Sequence, residues 1–308
     1  MGGRLSADLA REPGLVVRAV ARRPVPWLAP AVEQVVTDLI CDPVAVENAC
    51  AGVDAVVHLA GANEVAAAED PDRALSDTVI ATAHVAEAAR RAGVQRFVYV
   101  STVHVYAASM ANGTVLTEDL VPSPRHVYAI ARLASEHLAA AAATPASSMD
   151  VVVFRLTNSV GAPLDPGVDR WSLVANDLCR QAATTGSLRL RTHGLQWRDF
   201  VAMADVCRIL AAAMPGDRAH PCIPPGTYNL GSGEPMTVRQ LAGLVQDACE
   251  GATGHRPPLV APAPPAEALP AYSVSVGRLA RLGLGARTTV RSAVEETLAF
   301  CLKHRGEL

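Results

Sequence analysis

The chain has no long uncharged apolar run. Its longest apolar stretches, 54–62 and 138–143, fall well short of the roughly 20 residues that cross a bilayer. Its first residues lack the basic, apolar and small-residue order of a secretory signal. Neither sign of charge dominates, because charged residues make up 19% of the chain and the formal net charge is -3. We therefore expect a soluble cytoplasmic protein that binds neither membranes nor nucleic acid.

The chain also lacks the cysteine spacing of disulfide frameworks and metal sites. Its seven cysteines stand far apart, with no C-x-x-C pair, at positions 41, 50, 179, 207, 222, 249 and 301. No two histidines or carboxylates show ligand spacing on one predicted helix. These patterns predict buried thiols and no metal ion.

Short apolar runs alternate with helical patterns through the first half of the chain. The runs are 15–21, 35–39, 55–60, 97–101 and 151–156, and the clearest helical patterns are 79–92 and 127–143. Strands separated by helices predict an α/β protein with a doubly wound parallel sheet of the Rossmann type.

Prolines interrupt this regularity after Asn158 and predict a smaller, irregular C-terminal lobe. We expect residues 1–160 to form the dinucleotide-binding domain. Residues 161–308 should form mainly a substrate-binding lobe, with the segment 197–232 returning to the first domain.

Polar residues at one strand end and one helix start form a candidate catalytic site. Ser101 and Thr102 end one predicted strand, Tyr128 opens the next helix, and Arg132 follows four residues later. The carboxyl ends of parallel strands form the binding cleft, so these side chains should converge. A phenol with a reference pKa of about 10 needs a nearby cation to act as a base at neutral pH, and Arg132 is one turn away.

Six motifs in order resemble the extended short-chain dehydrogenase/reductases, which include UDP-galactose 4-epimerase and sugar-nucleotide dehydratases and reductases. They are HLAG at 58–61, VYVSTVHVY at 98–106, YAIAR at 128–132, RLTNSVG at 155–161, WRDFVAMADV at 197–206 and YNLGSGE at 228–234. The resemblance implies that Tyr128 exchanges a proton with a sugar hydroxyl, that Thr102 orients it, and that Ser101 lies at the cofactor. The family carries lysine where this chain has Arg132, which keeps the charge but not the shape of an ammonium group. Because lysine occurs once in the chain, at Lys303, a general bias toward arginine also explains the change.

The resemblance implies a nicotinamide dinucleotide, yet the expected start of its site is missing. Family members open with a strand and G-x-x-G-x-x-G, whereas Gly2 and Gly3 resemble only the last glycine and the following helix. The loss of a central strand would expose neighbouring strand edges. We expect either that the functional chain begins upstream of Met1 or that a truncation weakens cofactor binding.

Several further positions resemble cofactor contacts. An NAD-selective site places an acidic residue after the second strand, whereas Arg22 and Arg23 here suit the ribose phosphate of NADP. The cofactor is therefore expected to be NADP or NAD, with NADP preferred. The other implied contacts are Asp38, Leu39, Leu59, Ala60 and Gly61.

The implied substrate is a nucleotide-diphosphate sugar. Asn158 and Arg198 match positions that grip the diphosphate, and arginine can do so with two parallel hydrogen bonds. The alternative for Arg198 is a local ion pair with Asp199 that holds a turn. Gln196 lies beside Arg198, and His104 either donates to the sugar or is a structural hydrogen bonder.

The segment after Thr102 narrows the reaction. The family's 4,6-dehydratases carry an Asp-Glu pair and its decarboxylases a glutamate there, whereas this chain has Val103 and His104. The resemblance favours epimerisation, at C4, with an NADPH-dependent 4-ketoreductase of deoxysugar assembly as the alternative. A third hypothesis is that the protein is a scaffold that binds nucleotide sugars and has weak catalytic activity. By analogy with family dimers, we expect a homodimer through the helix that bears Tyr128.

Overall fold

The computed structural model describes residues 1–110, 113–144, 147–168, 170–215, 223–263 and 270–308. They form two compact units. The first contains 1–108, 118–156 and 207–229, and the second contains 109–117, 157–206 and 230–308. Cys222 and parts of two proline-rich segments, 216–222 and 264–269, lie outside the described residues.

Thirteen strands are described, most of them short. They are β1 (Val17–Ala21), β2 (Val32–Val36), β3 (Ala55–His58), β4 (Arg96–Thr102), β5 (Val115–Leu116), β6 (Asp150–Leu156), β7 (Asn158–Val160), β8 (Leu188–Arg189), β9 (Trp197–Ala202), β10 (Gly226–Leu230), β11 (Pro235–Thr237), β12 (Leu259–Val260) and β13 (Ser273–Val274).

Twelve α-helices are described. They are α1 (Gly2–Leu9), α2 (Pro43–Cys50), α3 (Glu64–Glu69), α4 (Pro71–Leu75), α5 (Ala81–Arg91), α6 (Ala107–Met110), α7 (Val127–Ala142), α8 (Val174–Thr185), α9 (Met203–Ala212), α10 (Val238–Thr253), α11 (Gly277–Arg281) and α12 (Val290–Lys303). A π-helical turn, Ser76–Ile80, joins α4 to α5, and a 3-10 turn, Val103–Tyr106, follows β4.

The main sheet of the first unit confirms the predicted α/β winding. Its strand order is β10-β6-β4-β3, and β4 pairs in parallel with both β3 and β6. All seven residues of β4 are buried, as expected for the centre of a parallel sheet that is covered on both faces. The helices α5 and α7 pack against each other and against strands of this sheet.

The strands β1 and β2 form a separate two-stranded parallel sheet. Among the described residues, β1 pairs with β2 alone and β3 pairs with β4 alone. Leu15, Val16 and Val20 are accordingly 45%, 88% and 41% exposed. Arg18 holds β1 in place by donating to Glu33 Oε2 at 3.0 Å and to the carbonyls of Ala49 and Ala51 at 2.9 and 3.0 Å.

The strand β2 begins three residues before its predicted start and ends three residues early. Val32 to Val36 pair one by one with Val17 to Ala21, and the chain then turns. Asp38 stabilises that turn, because its Oδ1 accepts from the N–H groups of Ile40 and Cys41 at 2.8 and 3.0 Å. These backbone bonds lower the pKa of the Asp38 carboxyl group.

The second unit is more regular than its prolines predict. Three long helices, α8, α10 and α12, pack around a shared apolar cluster with strands β7 and β9. The helix α10 begins with a capping box, in which Thr237 and Gln240 satisfy each other's backbone N–H groups. No helix among the described residues is both long enough and apolar enough to cross a membrane.

A buried ion pair joins β6 to α7 in the first unit. The Arg155 side chain donates three hydrogen bonds to the Glu136 carboxylate, at 2.7 to 3.1 Å, and a fourth to Tyr106 Oη at 2.7 Å. Ser101 of β4 also donates to Glu136 Oε1, at 2.5 Å. Burial opposes the charge of Arg155, but the bonds to Glu136 outweigh it and raise the pKa of Arg155. Every charge in this network therefore has a partner, which is the condition for burying one.

We predict that Glu136→Gln destabilises the protein strongly, because it leaves the Arg155 guanidinium buried without a counter-charge. The free energy of unfolding, measured by urea denaturation, should fall by about 3–5 kcal/mol. The matched control is Glu87→Gln, which removes an exposed carboxylate that pairs with Arg90 and Arg91. That variant should lose little, because water screens exposed pairs. Equal losses in the two variants would contradict the importance of the buried pair.

Candidate active site

The end of β4 presents the Thr102 hydroxyl. Thr102 is 4% exposed, and its Oγ1 accepts from the backbone N–H of His104 at 3.2 Å, which begins the 3-10 turn. This bond uses an oxygen lone pair, so the hydroxyl hydrogen stays available for donation. The neighbouring Ser101 hydroxyl instead donates to the buried Glu136 carboxylate. The two hydroxyls therefore differ. Ser101 donates within the buried Glu136–Arg155 network, whereas the Thr102 hydroxyl can donate to a ligand.

Tyr128 lies in the first turn of α7 beside two imidazole rings, whose centroids are 5.5 Å apart. The helix begins there because His126 Nδ1 accepts from the N–H of Ala129 at 3.4 Å and caps it. The His126 ring stacks on the Tyr128 ring at a centroid distance of 6.0 Å and an interplanar angle of 5°. The His104 ring lies edge-on to Tyr128 at 6.4 Å. Since α7 also packs against β4 and the 3-10 turn, the fold brings Thr102, His104 and Tyr128 to one place.

The guanidinium of Arg132, the cation predicted to assist Tyr128, lies over the Tyr128 ring. Its Cζ is 5.5 Å from the ring centroid, within the range of a cation–π contact. Arg132 is 7% exposed and donates to the carbonyls of Ala60, Ala62 and Val100 at 3.2, 3.4 and 3.3 Å. The planar group thus ties the loop after β3 to β4. An ammonium group, which has three donors at one point, could not span these carbonyls in the same way.

Arg132 also explains Gly61. The φ angle of Gly61 is +137°, and a Cβ built there would lie 3.0 to 3.2 Å from the guanidinium atoms of Arg132. The sequence motif assigns this glycine to a loop beneath the cofactor, but the structure gives a requirement within the protein itself. Any side chain at position 61 would strain the backbone and push against Arg132.

His58, at the end of β3, is held neutral. It is 4% exposed, stacks on Tyr99 at 5.9 Å, and lies 3.1 Å from Thr82 Oγ1 through Nε2. Thr82 donates its only hydroxyl hydrogen to the carbonyl of Thr78 at 2.6 Å, so His58 Nε2 must carry the proton in their contact. Burial, with a smaller contribution from Arg132, lowers the pKa of His58 to about 3.

The predicted contacts to the cofactor lie on the first unit. Since α1 begins at Gly2, the N–H groups of Gly2 and Gly3 have no acceptor within the helix, and its first turn contains no acidic residue. Arg22 and Arg23 follow β1 and are exposed, and Arg22 lies 3.5 Å from Asp77. The Asp38 carboxylate, a predicted cofactor contact, already accepts hydrogen bonds from its own turn.

One predicted residue of the loop after β3, Leu59, lies against the start of α1. A Cβ at Gly2 would lie 3.5 Å from Leu59 Cδ1, which is ordinary van der Waals distance. Leu39 accepts from His84 Nδ1 at 3.0 Å through its carbonyl. The helix start and Arg22 fit the phosphates of a dinucleotide, because both offer donors to an anion. Arg132, which was predicted to contact the nicotinamide end of the cofactor, donates to protein carbonyls.

The predicted diphosphate-binding residues lie in the second unit. Asn158 Nδ2 donates to the carbonyl of Asp199 at 3.0 Å, and Arg198 Nη1 donates to the carbonyl of Trp197 at 2.8 Å. Gln196 Nε2 donates to Thr192 Oγ1 at 2.8 Å. All three side chains are partly buried on or beside the neighbouring strands β7 and β9, and they do not group into one hydrogen-bond network.

The alternative considered for Arg198, a local ion pair with Asp199, gives way to a different arrangement. The carboxylate of Asp199, 1% exposed, accepts from the N–H groups of Ser232 and Gly233 at 2.9 and 2.7 Å. Burial raises the pKa of Asp199 although these bonds oppose the rise. The Arg198 guanidinium lies near Tyr272 instead, where it partly offsets the burial that raises the pKa of that phenol. Asp199 therefore stabilises the turn at Ser232 and Gly233, and Arg198 takes no part in these hydrogen bonds.

Comparison with known proteins identifies the family. The model of the NAD dependent epimerase/dehydratase family matches residues 1–231, and the chain belongs to that family. A GDP-6-deoxy-D-mannose reductase of Pseudomonas aeruginosa is 28% identical over 203 residues, which cover 64% of this chain and 64% of the reductase. The chain thus spans less than two thirds of that relative.

Other relatives carry out different reactions. A dTDP-glucose 4,6-dehydratase of Streptomyces griseus is 30% identical over 287 residues, 87% of this chain and 77% of the relative. A UDP-glucose 4-epimerase of Corynebacterium glutamicum is 27% identical over 265 residues, 81% and 76% of the two chains. The solved structure of MoeE5 in complex with UDP-glucose and NAD matches with a TM-score of 0.79 and 26% identity, covering 97% of this chain and 94% of that one. These comparisons confirm the Rossmann-type fold and the family resemblance, and they include epimerases, dehydratases and a reductase.

We predict that Gly61→Ala costs more than an ordinary glycine replacement at positive φ. The control is Gly52→Ala, where φ is +70° and nothing lies within 4 Å of the added Cβ. Both variants incur backbone strain of about 1–3 kcal/mol, but only Gly61→Ala also displaces the Arg132 guanidinium. Thermal denaturation should show the greater loss for Gly61→Ala. In an Arg132→Ala background that excess should disappear, and its persistence would argue against the Arg132 contact.

We also predict that His58 makes the protein less stable in acid. Its pKa is about 3 when folded and near 6.5 when unfolded, so the unfolded chain binds the proton first as the pH falls. Stability is then lost progressively from about pH 6.5 toward pH 3, at up to about 1.4 kcal/mol per pH unit. His58→Gln should flatten this slope in urea titrations between pH 6 and pH 4, whereas replacing the exposed His137 by Gln should not. An unchanged slope in His58→Gln would refute the assignment.

Proposed function

We propose that this chain is an NAD(P)-dependent epimerase of a nucleotide-diphosphate sugar, acting at C4 by transient oxidation. The observation that supports this most directly is the pairing of two elements: Thr102 ends β4 with a hydroxyl hydrogen to donate, and Tyr128 opens the helix that packs on that strand. A hydroxyl and a phenol in this position can hold one sugar hydroxyl between them.

Each residue has a distinct task in this proposal. Tyr128 receives the proton of the sugar hydroxyl during oxidation and returns it during reduction, and Thr102 orients that hydroxyl by a hydrogen bond. Arg132 holds the loop after β3 against β4 and places its positive charge over the Tyr128 ring. A bound nicotinamide would supply the hydride acceptor and donor. The start of α1, at Gly2 and Gly3, and Arg22 would hold its dinucleotide by the phosphates.

Elimination reactions need an acid and a base beside the sugar. Val103 and His104 supply no carboxyl group where the family's dehydratases carry an Asp-Glu pair, which favours epimerisation or ketoreduction over dehydration. The structure nevertheless brings a carboxylate from elsewhere, because Glu64 Oε1 lies 3.3 Å from His104 Nε2. Since dehydratases are among the relatives, product analysis must include the dehydrated 4-keto sugar.

A 4-ketoreductase that uses NADPH is the second candidate. Two observations favour it: Arg22 is an exposed cation directly after β1, where the ribose of the cofactor is expected, and one relative is named a reductase. An epimerase regenerates its cofactor in each cycle, whereas a reductase consumes one NADPH per product. Spectrophotometric measurement of NADPH during turnover therefore separates the two.

A weakly catalytic scaffold that binds nucleotide sugars is the third candidate. It is favoured by Arg132, which replaces the family lysine and donates through Nη1 and Nη2 to the carbonyls of Ala60, Ala62 and Val100. Calorimetric binding of a nucleotide sugar without any turnover would identify this function. An Arg132→Lys variant that gains activity would show that the native arginine limits catalysis.

We further propose that the chain forms a homodimer through α5 and α7. The two helices pack against each other, Ile130 of α7 is 46% exposed, and Ile80, the last residue of the π-helical turn before α5, is 43% exposed. A second copy would cover these apolar side chains. Sedimentation velocity measures the assembly directly, and a monomer at all concentrations would exclude it.

We predict that Tyr128→Phe abolishes turnover of the nucleotide sugar while leaving its binding intact, because only the exchangeable proton is lost. The matched control is Tyr228→Phe, which removes a phenol hydroxyl that donates to the Pro224 carbonyl. The substrates to assay are UDP-, dTDP- and GDP-hexoses, with products identified by NMR and binding measured by calorimetry. Full activity in Tyr128→Phe would contradict the proposed acid–base role, and absence of binding in the native chain would contradict all three functions.

A further inference from the structure

Three potential metal ligands meet beside Tyr128, although they stand far apart in the sequence. Glu64 opens α3, His104 lies in the 3-10 turn after β4, and His126 caps α7. One ligand atom from each of the three lies within 4.8 Å of the other two, and all three residues belong to the first unit. We propose that Glu64, His104 and His126 form a binding site for one divalent zinc-like cation.

The ligand set suits this class of ion. Two imidazole nitrogens and one carboxylate oxygen are a common protein donor set for Zn²⁺. In a tetrahedral site with bonds of about 2.0–2.1 Å, ligand atoms lie about 3.3 Å apart. The distance from His104 Nε2 to Glu64 Oε1 is already 3.3 Å, so these two ligands have the spacing of a tetrahedral edge.

The third ligand closes the site with a small movement. The ligand atoms all lie within 4.8 Å of one another, so the separations must shorten by at most about 1.5 Å to reach tetrahedral spacing. Glu64 can supply much of this by side-chain rotation, because its side chain is 55% exposed and begins the helix instead of lying within it. The bond from Ala129 N–H to His126 Nδ1 is long, at 3.4 Å, so the imidazole can reorient at little cost.

The cluster is accessible from solvent. The side chains of Glu64 and His104 are 55% and 23% exposed, so a cation can enter without unfolding of the unit. Three protein ligands leave the fourth tetrahedral position for water or for an oxygen of a bound molecule. Because His126 stacks on Tyr128 and His104 lies edge-on to it, that open position is next to the candidate catalytic phenol.

Local sequence spacing could not reveal this site. The three ligands come from three different segments, and no pair of them forms a helical i, i+4 motif. The expectation of no metal rested on the absence of such motifs. The proposed site does not depend on the proposed enzymatic function, since zinc binding is measured without cofactor or sugar.

The test is equilibrium dialysis of the purified full chain, freed of any affinity tag, against Zn²⁺, with zinc measured by mass spectrometry. The background is Cys41→Ser, because Cys41 is an exposed thiol that could bind zinc by itself. We expect one zinc per chain. The same protein loaded with Co²⁺ should show the intense visible absorption of a tetrahedral site without thiolate charge transfer.

The variants are chosen to remove ligands without disturbing the fold. His126→Asn keeps a good helix cap but removes the imidazole, and Glu64→Gln keeps the size of the side chain. Each should weaken zinc binding at least tenfold, while Glu64→His, which replaces one ligand by another, should retain it. His137→Asn and Glu69→Gln, on α7 and α3, are the controls and should bind as the parent does.

The proposal is overturned if the parent binds less than one zinc, if His126→Asn or Glu64→Gln binds as tightly as the controls, or if Co²⁺ shows only weak octahedral absorption. Tyr128→Phe should bind zinc normally even if it is inactive. Loss of activity with intact zinc binding, or the reverse, therefore separates this proposal from the enzymatic one.

Discussion

The buried pair of Arg155 and Glu136 is the constraint on which the rest of the first unit depends. A guanidinium on the central strand β6 needs a carboxylate at one position of α7, because neither charge tolerates burial alone. Ser101 and Tyr106 bond to the same pair, which fixes the end of β4 as well. Apolar packing would allow the helix to slide by a residue, but a multiply bonded ion pair allows one register. Two turns before Glu136, that register sets Tyr128 beside the end of β4.

Much of the fold was readable from the sequence, because its signals are local. Apolar runs bounded by turns predicted β1, β2, β3, β4 and β6, and helical periodicity predicted α5 and α7 nearly to their ends. The bounds of β2 were predicted three residues too late, because the ends of this strand depend on its pairing with β1 and on the turn at Asp38. Local sequence patterns do not contain either constraint. The helical character of the second unit was missed because its prolines lie between helices and not within them.

The candidate site was predicted only where its residues carry a motif. Thr102 and Tyr128 stand at a strand end and a helix start, and the fold brings both elements together as expected. Glu64 and Glu136 have no such signal, because each meets a partner from a distant segment. Arg132 was found, but its contacts were not foreseen. It stands where the family carries lysine, and its guanidinium donates to three carbonyls of its own protein.

The two-stranded sheet of β1 and β2 has a consequence for ligand binding. A pair of strands is marginally stable by itself, and here its attachments include one arginine, Arg18, that reaches the end of α2. Such a segment opens locally at a lower free energy than the core strands do. Arg22 directly follows β1, so any anion that it holds binds the closed form and draws the segment toward it. Anion binding to the β1–β2 segment would thus be coupled to the ordering of its backbone. Part of the binding free energy would offset the entropy that this ordering costs.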